Sequence, residues 1–310
     1  MTTTPQYGDS QTSTPRTRTR PWGPRTWKAV LSYDGTDYSG WQIQPGQPTI
    51  QGELQAALGR VVGEAPLPQG SGRTDAGVHA LAQVASFALR APIPPDSLRR
   101  ALNRTLSPAI RVLEAKVVRS DFHARHSAVA KSYEYRVYLE RPPHSPGRPI
   151  ECPPFLARYV YSYPWPLDLE ALQVSARLFI GTHDFSSFAA TDPDVAARSS
   201  PHPTTESVSD EDNSGQPAAI RTIFGSSWER RPIENTELFI YRVRGSGFLH
   251  HMVRNLVGTM LDVGRGYRRA EEIPPMIAAR SRSAAGPTAP ARGLFLHSVE
   301  YPADSEACLT

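Results

Sequence analysis

KSYEYRVYLE, residues 131–140, alternates with a period of two. Tyr133, Tyr135, Val137 and Leu139 point one way, and Ser132, Glu134, Arg136 and Tyr138 the other. It reads as a sheet strand with one packed face. On its N-terminal side, TWKAVLSYDG (27–36), QVASFAL (83–89) and IRVLEAKVV (110–118) also read as strands. Between them, TIQGELQAALGRVVG (49–63) carries Ile50, Leu54, Ala57, Leu58, Val61 and Val62 on one helical stripe, and DSLRRALNRTL (96–106) reads as a second helix.

Beyond it comes a proline-rich connector, RPPHSPGRPIECPP (141–154), then a helix at LDLEALQVSARLF (167–179) and a strand beginning at ELFIYRVRG (237–245). LHHMVRNLVGTMLDVG (249–264) predicts a helix with Leu249, Met252, Val253, Leu256, Val257, Met260 and Leu261 on its apolar face. Its opposite face then carries His250, His251, Arg254, Asn255 and Gly258. A last strand is expected at FLHSVEY (295–301). Strands and helices mix without strict βαβ alternation, which predicts an α+β fold with antiparallel sheets in two halves. The divisions are a disordered basic tail (1–25), an N-terminal half (26–140), a C-terminal half (141–302) and a short tail (303–310). The stretch 190–219 is rich in Ser, Pro and Asp and reads as a disordered insertion in the second half.

Lys and Arg total 34 against 30 Asp and Glu, and the net charge is +4. The basic residues are nearly all Arg, with Lys only at 28, 116 and 131. Arginine suits phosphate and base contacts, although a coding bias toward arginine explains the same excess. Cys152 and Cys308 lie too far apart in sequence to suggest a disulfide framework or a thiolate metal site. The first residues lack an apolar signal core, and no apolar run is long enough to span a bilayer. A soluble protein of a reducing compartment, the cytoplasm, is expected.

GSGRTDAGVHA (70–80) sets Asp75 and Arg73 among small residues. A dinucleotide-binding G-x-G-x-x-G would need glycine at 75, and a carboxylate there repels a pyrophosphate, so a nucleotide cofactor is excluded. On composition alone a plain Asp-Ala-Gly turn is the simpler reading. Against it, small neighbours admit a bulky ligand, and a nearby arginine keeps a carboxylate ionised. The nine histidines show no H-x-x-x-H or H-E-x-x-H spacing, so no metal is expected. His250 and His251, adjacent on the expected helix, diverge and read as polar-face packing, as do His123 and His126.

GRTDAGVHA (72–80) resembles the active-site signature of the tRNA pseudouridine synthase A family. YDGTDYSGWQ (33–42), TIQGELQAAL (49–58), DFHARHSAVAKSYEYRVY (121–138), GTHDFSSF (181–188), GFLHHMVRNLVGTMLDVG (247–264) and ARGLFLHSVEYP (291–302) are similar to its other motifs, in the same order. The resemblance implies two ferredoxin-like halves joined around a central basic cleft, in a homodimer that holds tRNA. The implied reaction is isomerisation of uridine to pseudouridine at positions 38, 39 and 40 of the anticodon stem-loop, without cofactor or metal. The base is detached at C1′, turned, and rejoined through C5.

By that resemblance Asp75 is the catalytic aspartate. An aspartate side chain ordinarily titrates near pH 4, so at neutral pH it serves as nucleophile or base; sugar attack and removal of the 2′ proton are both open to it. Arg73 would push the target nucleotide out of the stem. Tyr133 would stack on the uracil and help move the C5 proton, where spacing alone suggests sheet packing. Arg254 would pair with Asp75, and beside it on the polar helix face the small Gly258 leaves room for a partner to approach. A catalytically idle RNA-binding protein on the same scaffold is one rival reading, against which Asp75, Tyr133 and Arg254 are all present. A retaining glycosidase is another, and it would need a second carboxylate within about 5 Å of Asp75.

Overall fold

The computed structural model describes residues 23–139, 152–190, 219–233 and 236–306. The expected tail at 1–25 and insertion at 190–219 therefore lie almost wholly outside the described residues.

Ten strands form one sheet: β1 (Arg25–Tyr33), β2 (Gln69–Gly70), β3 (His79–Leu89), β4 (Ile110–Val117), β5 (Ala130–Leu139), β6 (Tyr161–Ser162), β7 (Gly181–Asp184), β8 (Ile220–Ile233), β9 (Thr236–Gly245) and β10 (Leu294–Glu300). The spatial order is β4-β1-β3-β10-β5-β9-β8-β7, with β2 added to β3 and β6 to β5. The expected α+β class with antiparallel pairing holds, and the two sheets prove to be one. β10, late in the chain, lies between β3 and β5, both of the expected N-terminal half: it pairs antiparallel with β5 from Leu294↔Tyr135 to Glu300↔Ala130, and parallel with β3 only at Phe295↔His79 and Leu296↔Ala80.

The helices are α1 (Ile50–Val62), α2 (Pro95–Thr105), the single turn α3 (Pro154–Ala157), α4 (Leu169–Arg177), α5 (Met252–Gly264) and α6 (Ile273–Ala279). Thr49 caps α1 by accepting from the Gly52 N–H, and Gly63 ends it in the left-handed conformation at φ 73°. The stripe read from the sequence holds: Ile50, Leu54, Ala57 and Leu58 are buried, in one core with Trp27, Ala29, Leu31 and Tyr33 of β1. The same core continues under α4 and α5 through Leu172, Ala176, Leu256 and Met260.

The structure departs from the expectation at four points. The strand β8 was not evident in the sequence, because the chain bulges between Ile223 and Gly225 and breaks the alternation there. In β5 the second face is not open: Glu134 and Tyr138 are buried along with Tyr133, Tyr135 and Val137. Finally, α5 begins at Met252 rather than at Leu249, since His251 stands in the left-handed conformation at φ 59° and the helix cannot extend through it. Nor is the far face of α5 polar and open. Asn255 is fully buried, donating to the Phe188 carbonyl and accepting from Thr288, and a Cβ on Gly258 would collide with the Pro287 carbonyl.

Candidate active site

Asp75 sits in the loop from β2 to β3, and backbone bonds fix that loop before any side chain is considered. Trp41 N–H donates to the Thr74 carbonyl at 3.0 Å, Gly77 N–H to the Tyr38 carbonyl at 3.3 Å, and Val78 N–H to the Asp75 carbonyl at 3.1 Å. Gly40, at φ 90°, allows this approach, since a Cβ there would lie 2.5 Å from the Thr74 carbonyl oxygen. Beneath the loop, Gln83 is buried and bridges Ser71 to the Gly72 carbonyl, while Lys131 donates to the Ser71 carbonyl. The Tyr33 hydroxyl bonds Thr74 at 2.8 Å. Burial pushes the Tyr33 hydroxyl up to about 12, against its hydrogen bonds with Thr74 and Gln83. The carboxylate is thus presented by a rigid turn rather than by a loose one.

The loop faces an open cleft of about 1010 Å³. All four residues expected from the sequence line it: Asp75, Arg73, Tyr133 and Arg254. Arg254, in the first turn of α5, donates from Nη1 to Asp75 Oδ2 at 2.8 Å and from Nε to the Ala289 carbonyl at 2.8 Å. Because Ala289 N–H also donates to the Arg254 carbonyl, the guanidinium is aimed by two fixed bonds. Its partner reaches it from the cleft; the space beside Gly258 is filled by backbone of the 286–289 segment.

Tyr133 enters from β5, buried edge-on against Phe248 with ring centroids 5.1 Å apart and planes at 81°. Burial, with Tyr33 and Asp75 nearby, raises its hydroxyl above the ordinary tyrosine range. Arg73 is exposed on the rim, where Arg125, Lys131 and Arg221 also line the opening. Among the described residues lining the cleft, Asp75 is the one acid. Among these residues, none supplies the second carboxylate a retaining glycosidase needs.

His250 and His251 do not diverge on a helix, as expected from their adjacency; they precede it and converge on Asp75. His250 Nε2 lies 3.6 Å from Oδ1 and His251 Nε2 3.3 Å from Oδ2, with the two imidazoles 3.9 Å apart. His251 has a left-handed backbone, φ 59°, and both side chains meet the same carboxylate. The sequence did carry a signal: no Ser, Thr, Asp or Asn stands before Met252 to cap a helix there. Burial holds the His251 imidazole below its ordinary value; Asp75 pulls the other way, and His250, Arg254 and Arg282 add to the drop. Asp75, His250 and His251 place three atoms of metal-binding type within 4.8 Å of one another. The Arg254 guanidinium already stands on Oδ2 as counter-charge, so the grouping reads as an ion pair flanked by imidazoles.

Chemically, the cleft offers one oriented carboxylate, an aromatic floor, a cationic rim and no competing acid among its described residues. The tRNA pseudouridine synthase family matches this chain over residues 29–127 and 175–302. Arg73 and Asp75 fall in the first segment, His250, His251 and Arg254 in the second, and Tyr133 between them. The tRNA pseudouridine synthase A of Solibacter usitatus is 47% identical over 274 residues, 88% of this chain and 98% of that protein. Those of Moorella thermoacetica and Halalkalibacterium halodurans are 42% and 43% identical, covering 88% and 86% of this chain and 98% and 88% of their own lengths. On the family match and on these identities over most of its length, the chain belongs to the tRNA pseudouridine synthase family.

Proposed function

We propose that this protein isomerises uridine to pseudouridine at positions 38, 39 and 40 of the tRNA anticodon stem-loop, with Asp75 as the reacting carboxylate. The observation that carries this reading is the placement of Asp75: held by Arg254 on one oxygen, open to the cleft on the other, and facing the Tyr133 side of an arginine-rimmed opening. Arg254 orients the carboxylate by its bond to Oδ2 and so fixes which oxygen meets the sugar. Arg73, on the exposed rim, is suited to the phosphate backbone and to holding the target nucleotide outside the stem, where extrusion costs a few kcal/mol. Stacking of uracil against the Tyr133 and Phe248 surface would return about 1 to 3 kcal/mol.

The cationic rim and the uncharged aromatic floor divide the work between polyanion binding and base placement. We further propose that the working form is a homodimer holding one tRNA across both subunits, in the cytoplasm. No helix among the described residues is long and apolar enough to cross a membrane. The deciding experiment incubates the protein with unmodified tRNA and maps pseudouridine chemically. Modification confined to positions 38–40 is expected; tRNA bound but left unmodified would favour the idle RNA-binding alternative.

A further inference from the structure

Isomerisation must also carry a proton away from uracil C5. When uracil C5 bonds to C1′, the C5–H bond must break, its electron pair restores the C5–C6 double bond, and the proton passes to a base. N1, freed from the sugar, gains a proton, so the product has as many hydrogens as the substrate. Arg73, Arg125, Lys131, Arg221 and Arg254 are donors without a lone pair to offer. Asp75 is released from the sugar as C5 bonds to C1′, and a proton it takes can pass on to the imidazoles that stand at its two oxygens. Tyr133 would have to act as tyrosinate, and burial keeps its hydroxyl protonated.

Two imidazoles remain. His250 and His251 reach the two oxygens of Asp75 at 3.6 and 3.3 Å and lie 3.9 Å from each other. His251 holds a left-handed backbone that only one other non-glycine residue among the described residues, Arg280, adopts. His251 stands at the N-cap position without a side-chain capping bond, and its ring lies instead at the carboxylate, beside that of His250.

We propose that the His250–His251 pair is the proton exchanger of the reaction, accepting the proton that leaves uracil C5 and returning one to N1. This rests on the isomerase reading above. Asp75 faces both rings from the loop between β2 and β3, and Arg254 and Arg282 face His251. The two cations and burial favour the neutral, accepting imidazole, in line with the lowered His251 value. His250 Nδ1 is buried without a hydrogen-bond partner, so proton exchange with the cleft runs through Nε2, the nitrogen that faces Asp75.

The test is single-turnover reaction of wild type, H250N and H251N with tRNA carrying tritium or deuterium at uridine C5; asparagine tolerates the left-handed backbone. Expected are wild-type melting and tRNA affinity within a few fold, tritium release slowed about a hundredfold, a deuterium isotope effect larger than in wild type, and partial rescue by free imidazole. Two results would overturn the proposal: unchanged rates in both variants and in the double variant, or slow variants with neither a larger isotope effect nor rescue. Should a variant fail to fold, the wild-type pH profile decides. Tritium release must fall with acid at or below the ordinary histidine value of about 6.5, and a flat profile between about pH 5 and 8 overturns the pair's role. A wild-type protein that makes no pseudouridine at all would instead sink the isomerase reading.

Discussion

Of the carboxylates paired with arginine, Glu134 and Asp75 are built for opposite ends. Glu134, on β5, is only 4% exposed, with Oε1 accepting from Arg136 and Oε2 from Arg242 on the neighbouring strand β9. Arg136 in turn lies over the Phe295 ring, and Arg242 also meets Glu229. Both oxygens are closed off by guanidinium groups. Asp75 has the same kind of partner on Oδ2, but its Oδ1 meets only an imidazole edge at 3.6 Å and the cleft, and its side chain is 21% exposed. An ion pair that saturates both oxygens cross-links strands; one that leaves an edge open can meet a substrate.

The sharpest way to break that contrast is to neutralise the open carboxylate. Asp75→Asn is expected to lower pseudouridine formation by roughly 10⁴-fold or more, with tRNA affinity within a few fold; comparable loss of affinity would make Asp75 a binding residue. Arg254→Lys comes next. A lysine cannot serve Asp75 and the Ala289 carbonyl together, so kcat should fall about 10- to 100-fold with KM little changed, and a pure KM effect would argue that Arg254 holds tRNA instead. Tyr133→Phe keeps the ring and removes a hydroxyl that stays protonated, so binding should be unchanged and turnover reduced about tenfold at most. A loss near that of Asp75→Asn would return the C5 proton to Tyr133.

Glu134→Gln should do the reverse. It leaves two half-exposed guanidinium groups without their carboxylate, costing about 1 to 3 kcal/mol of stability, while activity per folded molecule is kept. The pH dependence has a definite sign. Burial alone would raise the Glu134 carboxyl, yet Arg136 and Arg242 overcome it and hold the group below its ordinary 4.5. Its contribution is therefore complete above 4.5 and vanishes as pH falls through the lower folded value. Denaturant melts at about pH 7 and pH 3 should show the gap between wild type and Glu134→Gln narrowing in acid; a gap that widens would mean the pair opposes folding.

Much of this was legible in the sequence where one local rule governs. The alternation in 131–140 and the stripe of α1 gave the strand and helix that the structure has, since each reports a single buried face. Asp75, Arg73, Tyr133 and Arg254 were legible through the motifs, and they line one cleft. What the sequence hid depends on backbone detail or on distant pairing. The bulge at Ile223–Gly225 scrambled β8, and the pairing of β10 with both β3 and β5 joins segments about two hundred residues apart. The helix starts only after the left-handed residue His251, and the two histidines expected to pack on its polar face are instead neighbours of Asp75.

On the proposed function, the open-edged carboxylate does the chemistry and the closed one holds the sheet. Asp75→Asn and Glu134→Gln, assayed side by side on the same unmodified tRNA with pseudouridine mapped and melting recorded, test it most directly. The expected result is a folded, tRNA-binding Asp75→Asn protein that forms no pseudouridine, beside a less stable Glu134→Gln protein that still does. Pseudouridine formed by Asp75→Asn at the wild-type rate would contradict the account.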